Sequence, residues 1–339
     1  MFKRTLIGLA VLGASVAQAD VLTSIKPLGF IASAITEGVT ETKVLLPVTA
    51  SPHDYSLKPS DVTQLQSAQL VVWVGDGLEG FLEKSIEKLP KEKVLTLEDV
   101  DAIDDIVDKA SKKEDKDDDH DHKHEHKHEH KHEHKHEGHN HEGHNHEGHN
   151  HEGHNHEGHN HDHHGHSHDE DWHIWLSSEA SELAAEQIAA RLSEQMPEHK
   201  AKIAENLAKF KANLTAKKAE IAKQLEPVKA KGYYTFHDAY GYFEREYGLN
   251  SLGSFTINPT VAPGAKTLTA IKKNIAKNKA QCLFAEPQFT PKVIETLAKE
   301  TKVNVGQLDP LGAKVQLSAT AYPEFLQVLA DEFSQCLTK

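Results

Sequence analysis

The chain carries 27 histidines, and all but four crowd into residues 120–168. From His122 to His136 imidazoles alternate with Lys and Glu. From Gly138 onward a Gly-His-Asn-His-Glu unit repeats, with Asp162 closing the last copy. Imidazole is the commonest protein ligand for zinc, copper and nickel, so a run of this density points to metal. An inert spacer would use Gly, Ser or Glu, and an affinity tag would not lie mid-chain among acids. The tract has almost no apolar residues with which to offset backbone ordering entropy. It is expected to be disordered and to hold zinc weakly, in interchangeable arrangements. The match of His124, Glu125 and His128 to H-E-x-x-H is an accident of the alternation, because the apolar helical face of a zinc peptidase is missing.

A defined site must therefore come from His53, His173, His199 and His237. His199 sits in a charged helix start beside Glu198 and Lys200 and reads as a surface residue. His53 lies in a loop after an apolar strand, His237 directly follows another, and His173 stands between Trp172 and Trp175 where the chain leaves the tract. Strand-end loops are where α/β proteins build sites. Three imidazoles from separate segments can hold zinc tetrahedrally, with water or a carboxylate in the fourth position. Taken one at a time, each could equally be a hydrogen-bonded structural histidine.

These residues need a scaffold, and the apolar pattern supplies one. Short apolar runs at residues 21–25, 42–46, 70–74 and 94–97 read as strands, and 27–36, 62–68 and 78–88 as helices. Ser60 or Asp61 is placed to cap the second of these helices. The chain leaves this fold after Leu97 and re-enters at Trp172, with the histidine-rich insert proper spanning 112–171. Such a loop adds only a logarithmic closure cost. A helix follows to residue 195. From Pro197 to residue 226, apolar residues recur at helical spacing over about 45 Å of helix, which Pro227 ends. Strands at 233–236, 249–256, 281–284 and 302–307 then alternate with helices at 239–247, 266–278, 291–300 and 322–337. Alternation of this kind implies parallel sheets with right-handed crossovers. The expectation is an α/β protein of two lobes, residues 20–195 and 227–339, joined by one long linking helix, residues 197–226.

The net charge is −14, but residues 112–171 alone carry seven lysines against eighteen acidic residues. The folded body is near neutral, with no basic face for nucleic acid. Lys3 and Arg4, an apolar run from Leu6 to Val16 and a small-x-small site at Ala17 and Ala19 read as a signal peptide, residues 1–19. No cysteine follows it to carry a lipid, and no later stretch is apolar enough to span a bilayer. The expected location is the periplasm, without a membrane anchor. Cys282 and Cys336 are the only cysteines. In an oxidising compartment they suit a disulfide, closing a loop that stabilises by about 4 kcal/mol on the chain-entropy account. Zinc thiolates are the alternative, though Cys-x-x-Cys spacing is absent.

Three stretches carry a resemblance: Ser51 to Asp61 around His53, Asp171 to Leu176 around His173, and Phe236 to Phe243 around His237. Leu308 to Gly312 adds a fourth. With them the chain resembles the metal-binding substrate-binding proteins of ABC importers, in its zinc branch, over nearly the whole mature length. The histidine-rich insert is itself typical of that branch. The resemblance implies a metal cleft between the lobes, a rigid connecting helix, and His53, His173 and His237 as zinc ligands. It further implies an inner-membrane permease as partner, a monomer, and a Cys282–Cys336 disulfide. Some zinc members carry an acid just before the first histidine, where this chain has Pro52, which favours water as the fourth ligand. Asp309 matches a carboxylate ligand of the manganese branch and is a possible fourth ligand or support. Other readings are a zinc store or metallochaperone without a transporter, a three-histidine zinc enzyme of the carbonic-anhydrase pattern, and a surface adhesin. The missing lipidation cysteine speaks against the last. No general base or substrate pocket is evident for the enzyme.

Overall fold

The computed structural model describes residues 20–117, 170–257, 259, 262–277, 279–289 and 292–339; side chains are described for the same residues except 112–117. The expected signal peptide and the histidine-rich tract lie outside the described residues. The first lobe is built from β1 (Asp20–Thr23), α1 (Lys26–Thr36), β2 (Glu41–Val44), α2 (Pro59–Ser67), β3 (Leu70–Trp73), the single turns α3 (Asp76–Glu79) and α4 (Glu83–Ile86), and β4 (Val94–Thr96). Its four strands are all parallel, in the order β2-β1-β3-β4. The central β3 is buried throughout, whereas β2 at the edge alternates with solvent. That contrast is expected of a parallel sheet covered on both faces.

Two local expectations are corrected here. The helix expected at 62–68 begins earlier, because Pro59 takes the first helical position and Asp61 accepts the Lys58 amide at 2.9 Å. The single helix expected at 78–88 is two separate turns. Glu79 is fully buried and folds back to accept the Val74 amide at 2.8 Å. Gly77 lies so close to the Trp172 indole that a Cβ there would fall 2.5 Å from its nitrogen. The chain also stays folded further into the insert than expected. Helix α5 (Asp101–Asp117) packs on α6 (Ser178–Gln195) through Ile103, Val107 and Ala110, spaced to share one face.

After a 3₁₀ turn at Pro197–His199, α7 (Lys200–Leu225) runs across the molecule. Its buried stripe is Ile203, Asn206, Phe210, Leu214, Ile221 and Leu225. The Asn206 amide donates to the Ile35 and Glu37 carbonyls at 2.9 and 2.8 Å, so α7 caps the C-terminus of α1.

The second lobe comprises β5 (Gly232–His237), α8 (Gly241–Tyr247), β6 (Ser251–Thr256), α9 (Ala265–Ala276), β7 (Ala280–Ala285), α10 (Lys292–Thr301), β8 (Asn304–Gln307) and α11 (Ala321–Leu337). Its sheet, β6-β5-β7-β8, repeats the first lobe's topology and is again parallel. Cys282 on β7 and Cys336 on α11 form the expected disulfide.

Along β5 the side chains alternate. Tyr234 and Phe236 join an outer cluster with Phe255, Ile271 and Leu283. Tyr233 faces inward, meeting Phe284 and Phe333. The inward core is continuous with that of the first lobe, because α11 packs on both α7 and α1. One apolar core therefore spans both lobes.

Candidate metal centre

Strand geometry places His237. It is the last residue of β5 and shares the inner face with Tyr233, so its ring emerges where the two lobes meet. His173 is set by its neighbours. It precedes the 3₁₀ turn Ile174–Leu176, and buried Trp172 and Trp175 flank it. The Trp175 indole donates to the Pro310 carbonyl of the second lobe at 2.8 Å, and the Tyr322 hydroxyl donates to the Trp175 carbonyl at 2.8 Å. His53 rides on the loop between β2 and α2, in a turn where the Ser51 hydroxyl accepts its amide at 3.2 Å.

These three rings converge. The His53 and His173 Nε2 atoms are 3.2 Å apart, those of His173 and His237 are 3.3 Å apart, and all three lie within 4.8 Å of one another. Two nitrogens bound to one tetrahedral zinc at 2.0–2.1 Å would stand about 3.4 Å apart. The pocket they line has free space of about 10 Å³, room for one water-sized sphere. Pro52, Trp175, Phe289 and Leu311 are among its walls.

The outer nitrogens decide what the inner ones offer. His173 Nδ1 lies 2.7 Å from an Asp171 oxygen, and His237 Nδ1 lies 2.6 Å from Glu286 Oε1. A carboxylate accepts, so each Nδ1 carries the proton and each Nε2 presents a lone pair inward. Two lone pairs 3.3 Å apart repel unless a cation stands between them. Burial pushes the His53 imidazole down to about 2, and its two histidine neighbours push the same way. A ring held neutral in this manner is the form that binds metal.

His199 is not part of this group; it lies beside Glu198 at 3.7 Å, partly exposed. Asp309, buried at the end of β8, spends both oxygens elsewhere. They accept the Leu311 amide at 3.0 Å, the Ala313 amide at 2.6 Å and the Gln288 amide at 2.8 Å. It is not among the residues whose ligand atoms cluster, and it shapes the loop that Trp175 grips. Glu286 was missed by sequence reasoning. It lies two residues beyond Phe284 on the inner face of β7, and that parity was the available signal. Asp171, two residues before His173, was visible only as part of a motif.

A two-lobed α/β scaffold with three converging imidazoles in the seam defines a metal-ion-binding protein of the substrate-binding class. The profile described as "ZnuA: Zinc-uptake complex component A periplasmic" matches residues 21–336, and the chain belongs to that family. It is 72% identical over 340 residues to the high-affinity zinc uptake system protein ZnuA of Haemophilus ducreyi, covering all of both chains. It is 56% identical to the protein of the same name from Haemophilus influenzae, covering 100% of this chain and 99% of that one. Among solved structures, a crystal structure of ZnuA superposes with a TM-score of 0.67 at 22% identity, covering 94% of this chain and 99% of the other. The periplasmic zinc binding protein TroA of Treponema pallidum gives 0.67 at 17% identity with the same coverages, a likeness of fold alone.

Proposed function

We propose that this chain is the periplasmic zinc-capturing component of an ABC importer, holding one zinc ion on His53, His173 and His237 and delivering it, as a monomer, to the inner-membrane permease. The observation that carries this reading is the convergence of three Nε2 atoms at tetrahedral-edge spacing. The relatives' names, all of high-affinity zinc uptake, supply the process. A family of zinc uptake is not a family of enzymes, and the three-histidine enzyme reading is set aside on that ground. No helix among the described residues is long and apolar enough to cross a membrane.

All three ligands are nitrogen, which suits zinc as a borderline-soft ion better than manganese. The fourth position is assigned to water, with Asp309 supporting the loop beside it. Asp171 and Glu286 orient the rings and raise their basicity. In the division proposed, residues 20–195 and 227–339 are the two lobes and 197–226 links them. The histidine-rich tract gathers further zinc at weaker sites and feeds it in beside His173.

Metal analysis of the protein taken from its own compartment, with and without His237→Ala, tests the site. One tight zinc per chain, lost in the variant, is the expected result. Deleting residues 120–168 should lower the stoichiometry while that one site survives; its disappearance would refute the division of labour. Growth of a deletion strain under zinc limitation separates importer from store. An importer component is needed there, whereas a store mainly blunts zinc excess.

A further inference from the structure

Residues 47–54, which carry His53, are scarcely tied to the fold. Their hydrogen bonds are internal: Ala50 N–H to the Pro47 carbonyl, His53 N–H to the Ser51 hydroxyl and Asp54 N–H to the Ser51 carbonyl. The flanking anchors lie just outside, at Leu46, which donates to Ser24, and at Tyr55, whose hydroxyl donates to Asp61. Apart from the ring contact between His53 and His173, one hydrogen bond among the described residues joins this stretch to the rest of the protein. It comes from the other lobe. Gln288 Nε2 donates to the Val48 carbonyl at 3.3 Å and to Asp309 Oδ1 at 2.8 Å.

We infer that Gln288 is a positioning residue, a latch that holds the His53 loop against the second lobe and so sets how fast a bound zinc leaves. This rests on the zinc site proposed above. Both neighbours of the Gln288 amide nitrogen are acceptors, which fixes the orientation of the amide. Among the described residues its Oε1 is left buried without a partner, and Gln288 lines the metal pocket. A glutamine serving packing alone would not strand that oxygen. Asp309 completes the latch. Its carboxylate accepts from Gln288 while it also orders residues 311–313, which Lys26 of the first lobe grips through the Ala313 carbonyl at 2.9 Å. His173 and His237 are each braced by a carboxylate on Nδ1. Among the described residues His53 has no such brace, and it is the least buried of the three. With one core shared between the lobes, ligand exchange has to start from the part held least, and that part is the His53 loop.

The test uses the full chain with Gln288→Leu, which keeps bulk and removes the donor, and Gln288→Glu, which sets a carboxylate against Asp309 and the Val48 carbonyl. Zinc release into excess chelator is followed by stopped flow. Cobalt(II) replaces zinc to report the coordination sphere, and melting of the zinc-free chain reports global structure. Release should be about tenfold faster in Gln288→Leu, the worth of one ordinary hydrogen bond, and faster still in Gln288→Glu. The cobalt spectrum and the zinc-free melting temperature should stay as in the parent. Unchanged release in both variants overturns the latch. A changed cobalt spectrum would make Gln288 a ligand instead, and a melting temperature that falls with the release rate would make its role merely structural. If His237→Ala keeps parental zinc affinity, the site itself is misassigned. If it loses zinc while Gln288→Leu releases at the parental rate, only the latch is wrong.

Discussion

The two lobes share a plan and use it differently. Each has a four-stranded parallel sheet with the same strand order, and in each the fourth strand is followed directly by a leucine and a buried acid, Leu97 and Glu98 in one and Leu308 and Asp309 in the other. Both acids bind backbone amides with both oxygens. Glu98 takes those of Asp76 and Gly77, and Asp309 those of Leu311 and Ala313. The metal-facing residues diverge from this symmetry. The second lobe offers one imidazole, rooted in a central strand and braced by the deeply buried Glu286. The first offers two, one from a loop and one from the edge of the insert. The comparison teaches that the topology provides a seam with sites on both walls, while the rigidity of each wall depends on what lies behind the ligand.

Four measurements would break or sharpen that contrast. The second lobe alone carries a disulfide, and replacing both Cys282 and Cys336 by Ser should cost about 4 kcal/mol in chemical denaturation, with one tight zinc retained. Loss of zinc as well would mean that the rigid wall depends on the bridge. Next, His237→Ala should weaken zinc binding about 300-fold by competition with a chelator, the share of one of three imidazoles in roughly 10 kcal/mol of binding. Third, Glu286→Gln and Asp171→Asn should each weaken zinc by about 10- to 100-fold, Glu286 nearer the upper end because its side chain is 1% exposed against 17%. The reverse ranking would make the first lobe's wall the stiffer one.

The smallest effect concerns pH. His53 is held at about 2 in the folded chain against 6.5 when exposed, so between those values the unfolded chain binds the extra proton. Its contribution to stability is present above pH 6.5 and is lost as pH falls. From pH 6 to pH 5 the zinc-free parent should lose about 1 kcal/mol relative to His53→Gln in urea titrations. Burial raises Glu79 and Glu244 to about 7, which works the other way. Their contribution is present below the ordinary glutamate range and is lost as pH rises toward 7, in both proteins alike. A parent and variant with parallel profiles would show that His53 is no more buried than a surface histidine.

Much of this was legible in the residues. The strands and their alternation with helices followed from apolar runs, because central parallel strands have no polar face to show, whereas the order of strands in each sheet did not. The three histidines emerged by subtraction once the tract was set aside, and the cysteine pair followed from compartment and number. Helix α5 was hidden because its core contacts, Ile103, Ile106, Val107 and Ala110, are few within an acid-rich run, so composition outweighed periodicity. The break at residues 76–86 was hidden because it depends on Glu79 folding back on Val74 and on Gly77 facing a tryptophan nearly a hundred residues away. Glu286 was invisible for the same kind of reason. Nothing near it in the chain needs a carboxylate, and His237 meets it only after two neighbouring strands have paired.

The shared core has a practical consequence for anyone building a fluorescent zinc reporter from this scaffold. Dyes placed on the two lobes, as for flytrap-type sugar and amino-acid binders, would sit on a nearly fixed baseline and respond weakly to cargo. A single environment-sensitive dye at position 49 or 50 would report loading far better, because there the polypeptide is free to change its surroundings.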